Sequence, residues 1–306
     1  MAIPVILDCD TGTDDAVAIM LAALHPDLDL LGVTTVWGNH DVRHTTDNTL
    51  RVLDHVGRGD VPVHRGANVP FRPRISPLPS GRPDLPPVLD LPAARRSVSE
   101  GPAVEWLVET LRGATRPVAL VPTGPLTNVA AAVAADPGIV AAVDRLVVLG
   151  GTHRAAGVTP YAERNVWCDP EAMAAVLAAG FRHLVMVGMD ATLAVPFTSD
   201  DARVLAGRGS PAGTAAARFV TERIEQYRSD AAMAALAAAP VHDPLAVAFL
   251  LDPGVVSTVP ARCLVETADP TTYGATSFVL DAEDATVEVA LGADHARYLA
   301  LLLEAF

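Results

Sequence analysis

No lysine occurs among the 306 residues; all 22 basic side chains are arginines. A Schiff base to pyridoxal phosphate needs a lysine amine, and a Walker A loop needs its lysine, so both chemistries are excluded. Cysteine is scarce. Cys9, Cys168 and Cys263 are widely spaced, match no zinc pattern and are odd in number, which reads as reduced thiols of a cytoplasmic protein. Apolar runs are broken by Asp, His or Pro well before the ~18–20 residues needed to cross a bilayer. No basic-then-apolar leader precedes the first expected strand. Positive charge is in deficit: 36 acidic against 22 basic residues give a net charge of −14. Such a surface repels phosphate backbones and anionic membranes, which argues against both as partners.

What is present is a large apolar fraction, 50%, enough for a sizeable core and incompatible with global disorder. Short apolar runs alternate with longer helical patterns through the first two-thirds of the chain. Strands are expected at 4–7, 28–36, 61–64, 118–121, 146–149 and 184–187. Helices are expected at 14–23, 45–56, 103–111, 126–135 and 170–179. Continuous apolar strands separated by helices imply an α/β fold with a mostly parallel central sheet flanked by helices. In such a Rossmann-like sheet, ligands bind beyond the carboxyl ends of the strands. The last third reads as an alanine-rich helix over 212–238, a helix over 245–251, short β segments over 255–289 and a closing helix over 295–304. Residues 66–102 are proline-rich and aperiodic, as expected of a lid or binding loop. No Gly/Ser linker or internal repeat divides the chain, so one domain over 1–306 is expected.

The densest chemical signal is Asp8-Cys9-Asp10-Thr11-Gly12-Thr13-Asp14-Asp15 at the end of the first strand. Carboxylates this close repel one another, and a hard cation offsets that repulsion. Asp14 and Asp15 open a helix, where the dipole favours negative charge; capping alone does not explain Asp8 and Asp10. An EF-hand register from Asp8 fails, because Gly12 falls at position five and Ile19 at position twelve. A phosphatase with a nucleophilic Asp8 and an acid–base Asp10 shares the spelling, although no lysine is available to steady the phosphoryl group.

Further along stand Gly38-Asn39, Pro122-Thr123-Gly124-Pro125-Leu126-Thr127-Asn128, Thr159-Pro160-x-Ala162-Glu163-x-Asn165, Asp169-Pro170-Glu171-Ala172 and His242-Asp243-Pro244-Leu245-Ala246-Val247. In this order, and together with Asp8-x-Asp10-x-Gly12-x-Asp14-Asp15-Ala16, they resemble the nucleoside hydrolase family, the calcium-dependent enzymes that cleave the N-glycosidic bond of ribonucleosides. The resemblance implies a Ca²⁺ site made by Asp10, Asp15, the Thr123 carbonyl and Asp243. An all-oxygen shell of this kind suits calcium better than zinc. It also implies that Asp14, Asn39, Glu163 and Asn165 bind the sugar hydroxyls, that Asp10 is the general base, and that His242 protonates the departing base. A small ribonucleoside or riboside is the implied partner, and a homodimer or homotetramer the implied assembly.

Departures from the family pattern lie on the leaving-group and 5′ sides. Residues 80–85 lack the histidine expected there. Leu149 replaces a methionine, Gly157 an asparagine, and Arg164 an aromatic residue. Arg164, if turned inward, would meet an anionic or unusually polar substrate. Gln226 and Tyr227 precede His242 where the family carries a flap. Hydrolysis of a ribosyl compound with shifted substrate choice is therefore the leading expectation; a ribosyl-ligand binding protein without turnover is the alternative.

Overall fold

The computed structural model describes residues 1–75 and 86–306; the 80–85 stretch singled out above lies outside them. Strand β1 (Ile3–Cys9) is followed by helix α1 (Thr13–Leu24), β2 (Leu28–Thr35), α2 (Val42–His55), β3 (Val63–Arg65), α3 (Ala103–Arg112), β4 (Val118–Pro122), α4 (Thr127–Ala135) and β5 (Val143–Leu149). Then come α5 (Arg164–Cys168), α6 (Pro170–Leu177), β6 (Leu184–Val187), α7 (Met189–Thr192), β7 (Phe197–Thr198), α8 (Ser199–Ala206), α9 (Pro211–Gln226), α10 (Ala231–Leu236) and β8 (Ala238–Ala239). The chain closes with α11 (Asp243–Leu251), β9 (Val256–Val265), β10 (Thr276–Leu280), β11 (Val287–Ala293) and α12 (His295–Ala305).

The main sheet has the order β10-β9-β11-β6-β5-β4-β1-β2-β3. β1 pairs in parallel with both β2 and β4, and β11 in parallel with β6; β9 runs antiparallel to β11 and β10. The chain builds outward from β1 through β2 to β3, then crosses to the opposite side of β1 to lay down β4. That reversal opens a crevice at the carboxyl ends of β1 and β4, where ligands bind in open α/β sheets. The expected fold class is borne out.

Two helices explain why the crevice is rigid. Every residue of α1 from Thr13 to Ala23 is buried, as is every residue of α11 from Asp243 to Leu250. Such helices, apolar on all sides, sit inside the molecule rather than on it. They pack against each other, and both begin at the crevice.

Three expectations need correction. The 212–238 helix is broken: α9 ends at Gln226, a 3₁₀ turn spans Tyr227–Ser229, and α10 starts afresh. Asp230 causes the restart by accepting from the backbone N–H groups of Ala232 and Met233. The helix expected from residue 45 begins at Val42, because Asp41 caps it through Arg43 N–H. The expected elements leave 150–169 without a helix, whereas the structure has α5 there, capped by Glu163. The described part of the 66–102 segment is pinned to α2: Asn48 bonds the backbone of Pro87 and Leu89, and Arg51 the carbonyl of Leu91.

Candidate active site

A cavity of roughly 380 Å³ occupies the crevice. Asp10, Asp14, Asn39, Thr123, Glu163, Asn165, His242 and Asp243 line it; Asp15, the remaining expected site residue, is fully buried beneath. Residues up to 233 positions apart in sequence thus converge, because β1, β2, β4 and β5 all deliver their carboxyl ends here and α1 and α11 start here.

At the cavity floor, carboxylate oxygens of Asp14, Asp15 and Asp243 lie within 4.8 Å of one another. Asp15 accepts from Gly12 N–H at 2.9 Å and from the Thr123 hydroxyl at 2.7 Å. Burial, then the Asp14 charge, pushes Asp15 up to about 6. Burial, followed by the charges of Asp14 and Asp15, holds Asp243 well above the usual carboxylate range. Three buried carboxylates this close, with Arg223 the one cation paired to them among the described residues, are what a hard divalent cation fits. The grouping brings in Asp14, expected at the sugar, and not Asp10, expected at the metal.

Asp10 stands beside this floor. Its Oδ2 accepts from Asn39 N–H at 2.6 Å, while the Asn39 amide returns a bond to the Asp10 carbonyl at 3.2 Å. This close approach requires glycine at 38: a Cβ there would lie 2.2 Å from Asp10 Oδ2. Burial, then the Asp15 charge, holds Asp10 well above its ordinary value. Asn165 donates to the carbonyls of Thr123 at 2.7 Å and Leu149 at 3.1 Å, tying β4 to β5. Glu163 accepts from the backbone N–H groups of Gly151, Asn165 and Val166. It is thus a helix cap as well as a cavity wall, and burial raises its carboxyl.

Across the cavity, His242 has both ring nitrogens engaged. Nδ1 lies 2.7 Å from Thr192 Oγ1 and Nε2 lies 3.1 Å from the Tyr227 hydroxyl. The Thr192 hydroxyl also reaches the Met189 carbonyl, at 3.4 Å.

Residues 5–300 match the family described as inosine-uridine preferring nucleoside hydrolase. The chain belongs to that family. The pyrimidine-specific ribonucleoside hydrolase RihA of Shewanella sp. (strain ANA-3) is 34% identical over 310 residues, covering 99% of this chain and 96% of the relative. RihA of Salmonella agona (strain SL483) is likewise 34% identical, covering 99% and 98%. Among solved structures, a purine-preferring ribonucleoside hydrolase from Gardnerella vaginalis superposes with a TM-score of 0.86 at 28% identity, covering 98% and 97% of the two chains. As a nucleoside hydrolase the chain is an N-glycosyl hydrolase. Among its described residues no helix is long and apolar enough to cross a membrane.

The phosphatase reading falls with this assignment and with the place of Asp8. Its carboxylate is buried, accepts from Thr34 and Asn128 at 2.7 Å each, and does not line the cavity. Burial pushes Asp8 up to about 6. Sequence reasoning missed Arg223, which is buried and pairs with Asp14 at 3.0 Å. One signal was available: Ala212, Ala216, Phe219, Val220 and Arg223 form a helical stripe, so an arginine continues an apolar face. Thr192, in a four-residue helix, carried no comparable signal.

Proposed function

We propose that this nucleoside hydrolase cleaves the N-glycosidic bond of ribonucleosides to free base and ribose, with Ca²⁺ held at the cavity floor. The observation that carries the reading is the convergence of Asp14, Asp15 and Asp243 beside Asp10, opposite His242. When bound, the divalent cation would lower the pKa of a water and grip a sugar diol.

The chain's own residues supply the rest. Asp10, with its raised proton affinity, takes a proton from the attacking water. The water oxygen bonds to C1′ as the C1′–N bond breaks through an oxocarbenium-like state. Asp14, Asn39, Glu163 and Asn165 hold the sugar hydroxyls, which removes much of the entropic barrier. Asp10, Asp15, the Thr123 carbonyl and Asp243 are the proposed cation ligands. His242, oriented by Thr192, passes a proton to the departing nitrogen, with Tyr227 beside it.

The relatives' names divide between pyrimidine-specific and purine-preferring, so the test uses both. Free ribose is measured from uridine, cytidine, inosine and adenosine, with calcium or with chelator. Release that calcium supports and chelator abolishes is expected; no release from any riboside would overturn the reading. The reading includes one catalytic domain over 1–306, a cytoplasmic setting for the thiols, and a homodimer or homotetramer, which sedimentation measures.

A further inference from the structure

Arg164 is the single arginine among the described residues lining a cavity that also presents Asp10, Asp14, Glu163, Asp230 and Asp243. It is the first residue of α5, and its side chain turns inward rather than to solvent. Nη2 donates to the Gly38 carbonyl at 3.1 Å. Nε is shielded from water and has no acceptor. Among the described residues Arg164 forms no ion pair, unlike Arg223, which is paired with Asp14. A guanidinium carries five N–H donors, and among the described residues a neutral carbonyl answers one of them. Desolvating such a group without an acceptor is unfavourable. A carboxylate or phosphate supplies two oxygens in the geometry the guanidinium fork accepts.

We infer that Arg164 selects ribosides carrying an anionic group, a carboxylate or a phosphate, bound by the edge of its guanidinium that lines the cavity. This inference rests on the ribosyl-hydrolase reading above and names its substrate class. Without Arg164, the surrounding carboxylates would repel such a substrate. The competing role is to offset the charge of Asp10, which Arg164 does influence. That role would affect neutral and anionic substrates alike.

Two matched pairs separate these possibilities: nicotinamide riboside against nicotinic acid riboside, and uridine against uridine 5′-monophosphate. We expect the wild-type protein to favour the member bearing the carboxylate or phosphate in one pair by about tenfold or more in kcat/KM. Arg164→Met and Arg164→Gln should collapse that ratio, and Arg164→Lys should restore it in part. Preference within the first pair places the anion on the leaving group; preference within the second places it on the sugar. Equal losses for both members of each pair, or a wild type that prefers the members without the carboxylate or phosphate, would overturn the inference while leaving hydrolysis intact. Should no riboside be hydrolysed, calorimetric binding of the same pairs to wild type and Arg164→Met reads the same ratio. A binding preference unchanged by the substitution then refutes the role of Arg164 independently.

Discussion

Arg223 and Asp14 form an ion pair at 3.0 Å inside the molecule, their side chains 2% and 11% exposed. Arg223 also donates through Nε to the Pro240 carbonyl at 2.6 Å, so one guanidinium joins α9, α1 and the segment entering α11. Removing one partner of such a pair leaves an uncompensated buried charge. Arg223→Met is expected to cost about 3–5 kcal/mol, read from urea unfolding midpoints. A loss under about 1 kcal/mol would mean the pair contributes little.

The metal-free protein should lose stability as pH rises. Asp15 and Asp8 each have an ordinary value of 3.8 raised to about 6 in the folded state. Between those values the folded chain binds more protons than the unfolded one, so the slope of stability against pH is negative. The contribution is fully present below about pH 4 and lost through pH 6, with Asp10 and Asp243 extending the decline upward. If calcium occupies the site proposed for it, it should displace protons from the cavity floor and flatten the curve above pH 6. Melting temperatures from pH 4 to 8, with calcium or chelator, test this; parallel curves would contradict it.

Asp10→Asn keeps the size of the side chain but removes the base. A fall in kcat of about 10²–10⁴ is expected, with riboside binding retained by calorimetry. Wild-type turnover would exclude Asp10 as the base.

Thr192→Val withdraws the hydroxyl that bonds His242 Nδ1. The ring then loses its fixed orientation, and kcat should fall by about tenfold with KM little changed, in line with one lost buried hydrogen bond. The acidic limb of the pH–rate profile should broaden or shift, which a packing defect alone would not produce.

Much of this architecture is legible from residue patterns. β1, β2, β4, β5 and β6 are apolar stretches ended by Asp, Gly or Pro, and their parallel order follows from the helices between them. The site was legible wherever motif residues lie at strand ends, as Asp10, Asn39 and Thr123 do. What escaped is what depends on contact at a distance. The break in 212–238 is hidden because alanine favours helix on both sides of Asp230. Helix α5 is too short to display a period, and its cap, Glu163, resembles a ligand as readily as a cap. The pairing of Arg223 with Asp14 joins residues more than two hundred positions apart, and periodicity does not report such a meeting.

The division of labour around β1 and β4 has a consequence for how this protein can change. The cavity floor is welded to the sheet and to two helices that cannot shift without opening the core. Beyond Tyr227, which bonds His242, the opposite side is a short turn and the six-residue α10. Residues there can be exchanged, lengthened or shortened without disturbing the floor. Selection acting on this chain can therefore rewrite which group departs while the means of severing it is handed down unaltered.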